Sequence, residues 1–336
     1  MSKHCTKATS CLSVFMPFKH VSNFLRDIMG LEISVTCLQD TVYKIGDTIY
    51  QKQLFKGKRP ETVDKPKEDP DILYIQADGS MVPIRGENER EFKEVKLGLV
   101  YTNSDVVKKK TKNGSEKTEI KNKRFVSSIG EGVEPFKKML FAQAIEKGYY
   151  RAGKVVLLTD GATWISKMKE EYFPEAIHIL DWYHAVEHLW KTAHELFGIE
   201  DTKRCEEWVN PLKEKLWDEK VNEVIEIIKS EAFSRKNKQK PLFELRGYFA
   251  GNREKMLYDV FRERGYYIGS GAIESAHKYI IASRLKQAGM RWSIRNANAL
   301  IWLRCLYFED RWDNFWQQMN PKEYLKPFKG RLKRVA

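Results

Sequence analysis

No run of eighteen or so apolar residues occurs in the 336-residue chain, so nothing in it reads as a bilayer-spanning helix. The opening stretch MSKHCTKATSCLSVFMPF lacks an apolar segment followed by a small-residue cleavage site, which argues against a secretion signal. Cysteine is scarce: Cys5, Cys11, Cys37, Cys205 and Cys305 are scattered, odd in number and never spaced C-x-x-C. That excludes a zinc ribbon and a disulfide framework, and it suits a reducing cytoplasm. Acidic residues are missing from Ser275 to Phe308, where Lys278, Arg284, Lys286, Arg291, Arg295 and Arg304 all fall. A gap of that kind makes a basic stripe.

What is present describes a globular chain. Hydrophobic residues are 42% and aromatic residues 12%, enough for a real core, and the length suits two domains or one interrupted core. Lys and Arg number 59 against 46 Asp and Glu, a formal charge of +13. A polyanion is the natural partner, because phosphate contacts release condensed counterions.

Residues 1–70 read as helices followed by a linker. FKHVSNFLRDIMG ends at Gly30, the next helix has Thr36 as a candidate cap, and GKRPETVDKPKEDP is rich in proline and charge. The helices fit either part of a helix-turn-helix or ordinary helical packing. Over 71–198 the period changes. ILYIQA, VKLGLVY and RFVSSI are short strands, the last two separated by the basic KKKTKNGSEKTEIKNK, a solvated hairpin tip. A helix, the buried strand KVVLLT, a second helix, a strand from Ala176 to Leu180 and a third helix follow. Three strands and then β-α-β crossovers predict an α/β, ribonuclease-H-like core: a mixed five-stranded sheet flanked by helices. Residues 199–265 contain no convincing strand and read as an all-helical insertion. Residues 266–310 return to the core with a helix from Gly271 to Gly289 and another from Ile294, and 311–336 form a basic tail.

The stretch ILDWYHAVEHLW contains HAVEH, a match to the H-x-x-E-H signature of inverted zinc peptidases. Such an enzyme needs a further glutamate ligand downstream, and nothing around the motif nominates one. Two other acids share a setting. QADGS places Asp78, and LLTDGAT places Asp160, each followed by glycine and each expected at the end of a central strand. One Asp-Gly is ordinary turn chemistry. Two, each closing a central strand, point to the crevice where open α/β sheets place their chemistry. GSGAIESAHKY adds Glu274 at the head of the basic stripe, with His277, Ile281 and Arg284 on roughly the same helical face. Three hard oxygen ligands suit two Mg²⁺ (or Mn²⁺) ions handling a phosphodiester.

Taken in order, QADGSMVPIR, EVKLGLVY, LLTDGATWI, ILDWYHAVEHLW and GSGAIESAHKYIIASRLKQAGMRWS resemble the core of bacterial insertion-sequence transposases of the Kra group, relatives of the Mutator-like DDE transposases. The resemblance covers about residues 70–310. It implies that Asp78, Asp160 and Glu274 are the catalytic, metal-holding triad, and that Asp181 and His184 support it through a C/D-x-x-H motif. It implies metal-dependent strand cleavage and strand transfer on element terminal repeats and target DNA, by a homo-oligomer assembled on DNA in the cytoplasm, at the nucleoid, with no membrane involved. In that setting Lys278, Arg284, Lys286, Arg291 and Arg295 are the expected DNA contacts. The N-terminal region is shorter than such transposases usually carry, which leaves end recognition in doubt. The competing readings are a stand-alone nuclease of the same fold and a transposase-derived DNA-binding protein without catalysis.

Overall fold

The computed structural model describes residues 2–64, 66, 68–86, 90–110, 116–130, 132–218, 220–234, 239–320 and 324. The chain forms two compact units, 1–153 with 273–336 and 154–272.

The first unit opens with three helices, α1 (Lys3–Phe15), α2 (Phe18–Met29) and α3 (Val35–Lys58). Gly30 ends α2 in the left-handed conformation, as read from the sequence, but Ser34 rather than Thr36 caps α3 by accepting from the Cys37 N–H at 3.2 Å. The segment read as the start of a linker is helical to Lys58, followed by a 3₁₀ turn at Pro60–Thr62.

Strands β1 (Ile72–Arg85) and β2 (Arg90–Thr102) pair antiparallel over their whole length, and a detached ribbon, β3 (Val106–Lys110) with β4 (Glu116–Ile120), follows. Much of the stretch 108–123, expected as a solvated hairpin tip, belongs to this ribbon, and 111–115 lie outside the described residues. Strand β5 (Arg124–Ile129) pairs antiparallel with β2, and α4 (Glu134–Glu146) closes this part of the chain.

The second unit begins with β6 (Lys154–Thr159), α5 (Thr163–Tyr172) and β7 (Ile177–Leu180), a β-α-β element whose strands run parallel. Helices α6 (Trp182–Phe197), α7 (Thr202–Trp217), α8 (Val221–Ser234), α9 (Gln239–Asn252) and α10 (Tyr258–Glu263) complete it. Among the described residues, 199–265 carries no strand. Its helices share one apolar core with α6, in which Leu189 of α6 joins Leu212, Ile228, Leu242 and Phe249.

The chain returns to the first unit through α11 (Gly271–Ala276), a π-helical segment (His277–Ala282), α12 (Ser283–Leu285), α13 (Ile294–Phe308) and α14 (Trp312–Gln318). The helix expected from Gly271 to Gly289 is therefore interrupted by a wide turn. Helix α13 is buried without a break from Ala297 to Leu306, so it is a core helix with no solvent face there. It lies against α3 so closely that a side chain at Gly46 would run into the Ala299 carbonyl. It also satisfies the outer edge of β5, where an open row of amides would invite stray pairing. Asn298 Nδ2 donates to the Ile129 carbonyl at 3.2 Å, Trp302 donates to that of Ser127 at 3.1 Å, and Glu309 accepts from the Phe125 N–H at 2.7 Å.

The protein is thus a mixed α/β chain. Its three antiparallel and two parallel core strands match the expected number and mixture. Of the tail read at 311–336, α14 is ordered on buried Trp312 and Trp316, and residues 321–323 and 325–336 lie outside the description.

Candidate functional site

The first correction concerns Asp78. It does not close a strand; β1 continues for seven residues beyond it, and Asp78 stands in mid-strand opposite Leu97. The strand period of two puts Gln76, Asp78 and Ser80 on one face, and each of them touches the returning helix. Gln76, fully buried, donates to Tyr101 Oη and accepts from the Ile273 N–H, both at 3.1 Å. One helical turn on, His277 shares a 3.1 Å hydrogen bond with Ser80 Oγ through Nδ1, and its Nε2 stands 3.4 Å from Asp78 Oδ2. Asp78 Oδ1 accepts from the Gly79 N–H at 2.6 Å.

Glu274 lies on the helix between those two ties and is exposed. Two acids almost two hundred positions apart are thereby brought to one strand–helix junction of the first unit. Burial pushes the His277 imidazole down to about 4, so the ring is neutral at pH 7. Sequence reasoning placed His277 beside Glu274 without giving it a role, and it missed Gln76 and Ser80. The alternation Q-x-D-x-S was the available signal.

A sixth participant is Glu94 of β2. A side chain at Gly79 would meet its carboxylate, which also pairs with Lys96 at 2.6 Å. Gly79 therefore makes room for a neighbour; it does not turn the chain.

Asp160 behaves as the sequence suggests. It follows the last residue of β6, its Oδ1 accepts from the Ala162 N–H at 2.9 Å, and Gly161 turns the chain at φ 86°. The Tyr248 hydroxyl donates to the Asp160 carbonyl at 3.0 Å, and burial followed by the Asp160 charge pushes that phenol up. His178 Nε2 pairs with Thr159 Oγ1 at 2.8 Å, and burial drives this imidazole down to about 3.

Asp181 and His184 do not meet through their side chains. Asp181 is fully buried and caps α6, accepting from the His184 backbone N–H at 2.6 Å; its other oxygen accepts from the Ser270 N–H. The D-x-x-H spacing is that of an N-cap and its third residue. The His184 ring instead faces Glu187 at 3.3 Å and the ring of His188, which stacks on Tyr248 with centroids 4.0 Å apart. Among the described residues no three His, Cys, Asp or Glu side chains converge as a finished metal cage, at HAVEH or elsewhere.

The basic stripe divides. Lys278, Lys286, Arg291 and Arg295 are exposed, Arg295 pairing with Asp47 at 2.7 Å. Arg284 is not a surface residue: it is fully buried between the rings of Phe18 and Trp292 and donates to the Ser13 carbonyl. The reason is the π segment, which widens the helix by one residue per turn and removes Arg284 from the face of Glu274. Arg304, also of the stripe, is buried as well. It donates to the Ile280 carbonyl at 2.6 Å, to Ser283 Oγ at 2.6 Å, and to the carbonyls of Tyr279 and Val14. Two of these bonds hold carbonyls of the widened turn, those of Tyr279 and Ile280.

Among solved structures, a chain of the Drosophila P element transposase strand transfer complex is similar over 95% of this chain and 81% of its own, at 9% identity and a TM-score of 0.30. No curated protein matches the chain. A family model does match, over residues 16–316, a span that holds Asp78, Asp160, Glu274 and His277. The chain belongs to the uncharacterised protein family UPF0236.

Proposed function

We propose that this protein is a DDE-type transposase with a ribonuclease-H-like core, cutting the ends of an insertion sequence and joining them to target DNA. The observation that carries the reading is the convergence at β1. Gln76, Asp78 and Ser80 grip the helix on either side of Glu274, across 197 positions of sequence. A structural acid at the end of a helix needs no such arrangement.

The residues present fit a divalent metal ion. Asp78 and Glu274 are carboxylates, the hard oxygen donors that Mg²⁺ and Mn²⁺ prefer, and both remain accessible to solvent. The resemblance to Kra-group transposases adds Asp160 as the third holder. When bound, a pair of such ions supplies charge stabilisation for the attacking and leaving oxygens of a phosphodiester. The chain's own residues do the remaining work. Gly79 N–H fixes one oxygen of Asp78, Gln76 and Ser80 set the helix bearing Glu274, and Lys278, Lys286, Arg291 and Arg295 offer cations to a DNA backbone. Assembly of a homo-oligomer on DNA is part of the same proposal.

The test uses the full chain and DNA carrying the repeats that flank its gene. Mg²⁺ or Mn²⁺ should support nicking and joining, and Ca²⁺ should support binding with little cutting. Asp78→Asn, Asp160→Asn and Glu274→Gln should each lower cutting by about a thousandfold, the loss of several kcal/mol of charge stabilisation, with DNA affinity retained. Cutting that survives chelation, or acid variants that lose DNA binding, would remove the reading. Cleavage without joining would favour a stand-alone nuclease.

A further inference from the structure

The Asp160 turn of the second unit is held from outside its own strand and helix. Strand β6 ends at Thr159, whose carbonyl accepts from the Asp181 N–H at 2.7 Å. The next carbonyl, that of Asp160, lies beyond the last pair of the β6–β7 ladder. A backbone group in that position needs a side chain or water as partner. Here the donor is the Tyr248 hydroxyl of α9, 3.0 Å away and 88 positions along the chain, in the helical insertion. The same hydroxyl stands 3.2 Å from where a side chain at Gly161 would begin, so it also borders the left-handed glycine that turns the chain. The Asp160 carboxylate follows this turn, because its Oδ1 accepts from the Ala162 N–H.

Tyr248 is itself held. His188 of α6, the second histidine of HAVEH, stacks on its ring with centroids 4.0 Å apart and planes 25° apart. His184, the first, turns its Nδ1 to Glu187. One helical turn beyond Tyr248, Asn252 donates to the Tyr248 carbonyl at 2.9 Å and accepts from Lys255 Nζ at 2.9 Å. Lys255 also donates to Ser166 Oγ of α5 at 3.2 Å. The insertion thus grips the chain at Asp160 and again in the helix that follows it. Leu242, Leu245 and Phe249 already seat α9 in the apolar core of this unit, so packing alone does not call for a hydroxyl at this carbonyl.

We propose that Tyr248, steadied by the His188 ring, is a positioning residue for Asp160, and that α9 of the helical insertion thereby sets this carboxylate for the reaction. The inference rests on the transposase reading for what Asp160 does, while the tie to Asp160 is tested without it.

Aspartate precedes glycine at two places in the chain, Asp78-Gly79 and Asp160-Gly161. The full chain labelled with carbonyl-¹³C aspartate and ¹⁵N glycine therefore gives one signal for each pair in a carbonyl-edited amide NMR spectrum. The Gly161 amide shares a peptide group with the Asp160 carbonyl and senses the hydrogen bond made there; Gly79 is the internal control. Tyr248→Phe should move the Gly161 signal and leave that of Gly79 in place. His188→Ala should move it by less, and His188→Phe, which restores a stacking ring, should return it toward the wild-type position. On DNA carrying the flanking repeats, Tyr248→Phe should lower cutting by about ten- to a hundredfold with affinity retained, the loss that a misplacement near 1 Å brings. A Gly161 signal unmoved in folded Tyr248→Phe, or in His188→Ala where Tyr248→Phe does not fold by circular dichroism, overturns the inference. A displaced signal with cutting at the wild-type rate overturns it as well. If the signal moves and the wild type cuts no DNA with any metal, the tie stands and the transposase reading falls.

Discussion

The dipeptide Asp-Gly occurs at two of the chain's central strands, and the two copies are built for different reasons. At Asp160-Gly161 the strand ends, the glycine takes a φ of 86°, and a side chain there would sit 2.8 Å from Leu180 Cδ1. At Asp78-Gly79 the strand runs on to Arg85, and the glycine is needed only because the Glu94 carboxylate occupies the space beside it. One glycine serves the backbone and the other serves a neighbour. Identical letters thus carry a turn in one unit and an opening beside an acid in the other. Each copy also has a neutral histidine nearby, half-buried His178 on Thr159 and buried His277 on Ser80.

The largest effect that sharpens this comparison is on pH. The folded-state pKa values of His277 and His178 are pushed down to about 4 and about 3, chiefly by burial. Between those values and the unfolded value near 6.5, the unfolded chain binds more protons than the folded one. Stability is therefore unaffected above about pH 6.5 and falls as pH drops below it, by about 1 kcal/mol per pH unit for each histidine. Urea unfolding of the wild type and of His178→Gln from pH 7 to 4.5 should show the shallower loss in the variant. Parallel pH curves would mean that His178 is not held neutral.

The glycines come next. Gly161→Ala should cost about 1–3 kcal/mol, since it strains a left-handed backbone and crowds Leu180. Gly79→Ala meets only the end of a flexible glutamate and should cost about 0.5 kcal/mol. Equal losses in denaturant unfolding would erase the distinction between the two sites.

The smallest effect asks whether burial, which separates the glycines, also separates arginines of one sequence stripe. Arg291→Ala should reduce the salt dependence of DNA binding by about one unit of slope. Arg284→Ala, which removes a buried side chain, should leave that slope unchanged while destabilising the fold. A slope change in Arg284→Ala that matches the one in Arg291→Ala would restore it to the surface.

Much of the fold was legible because it rests on local patterns. The apolar runs starting at Ile72, Val95, Arg124, Lys154 and Ala176 became the five core strands, the last beginning one residue later at Ile177. The helical period of 199–265 became four α-helices among the described residues. The extent of β1 was not legible, because Asp78-Gly79 is good turn chemistry and only pairing with β2 keeps it extended. The π segment was hidden too: HKYIIASRL reads as α-helix, and Arg304, more than twenty residues away, braces the widened turn. The D-W-Y-H spacing of Asp181 and His184 was legible as a motif, but not that Asp181 serves it as an N-cap accepting from the His184 backbone N–H.

The sequence by itself located the core strands and most of the helices, and it named Asp78, Asp160 and Glu274 as the acids to watch. Periodicity, capping and turn residues act within a few positions, so one chain reveals them. Tertiary structure alone decided that Gln76 and Ser80 grip the helix of Glu274, that His277 Nε2 faces Asp78, and that Arg284 and Arg304 lie inside. Those outcomes depend on which groups lose water together when distant segments pack, and burial of that kind leaves no period in the sequence.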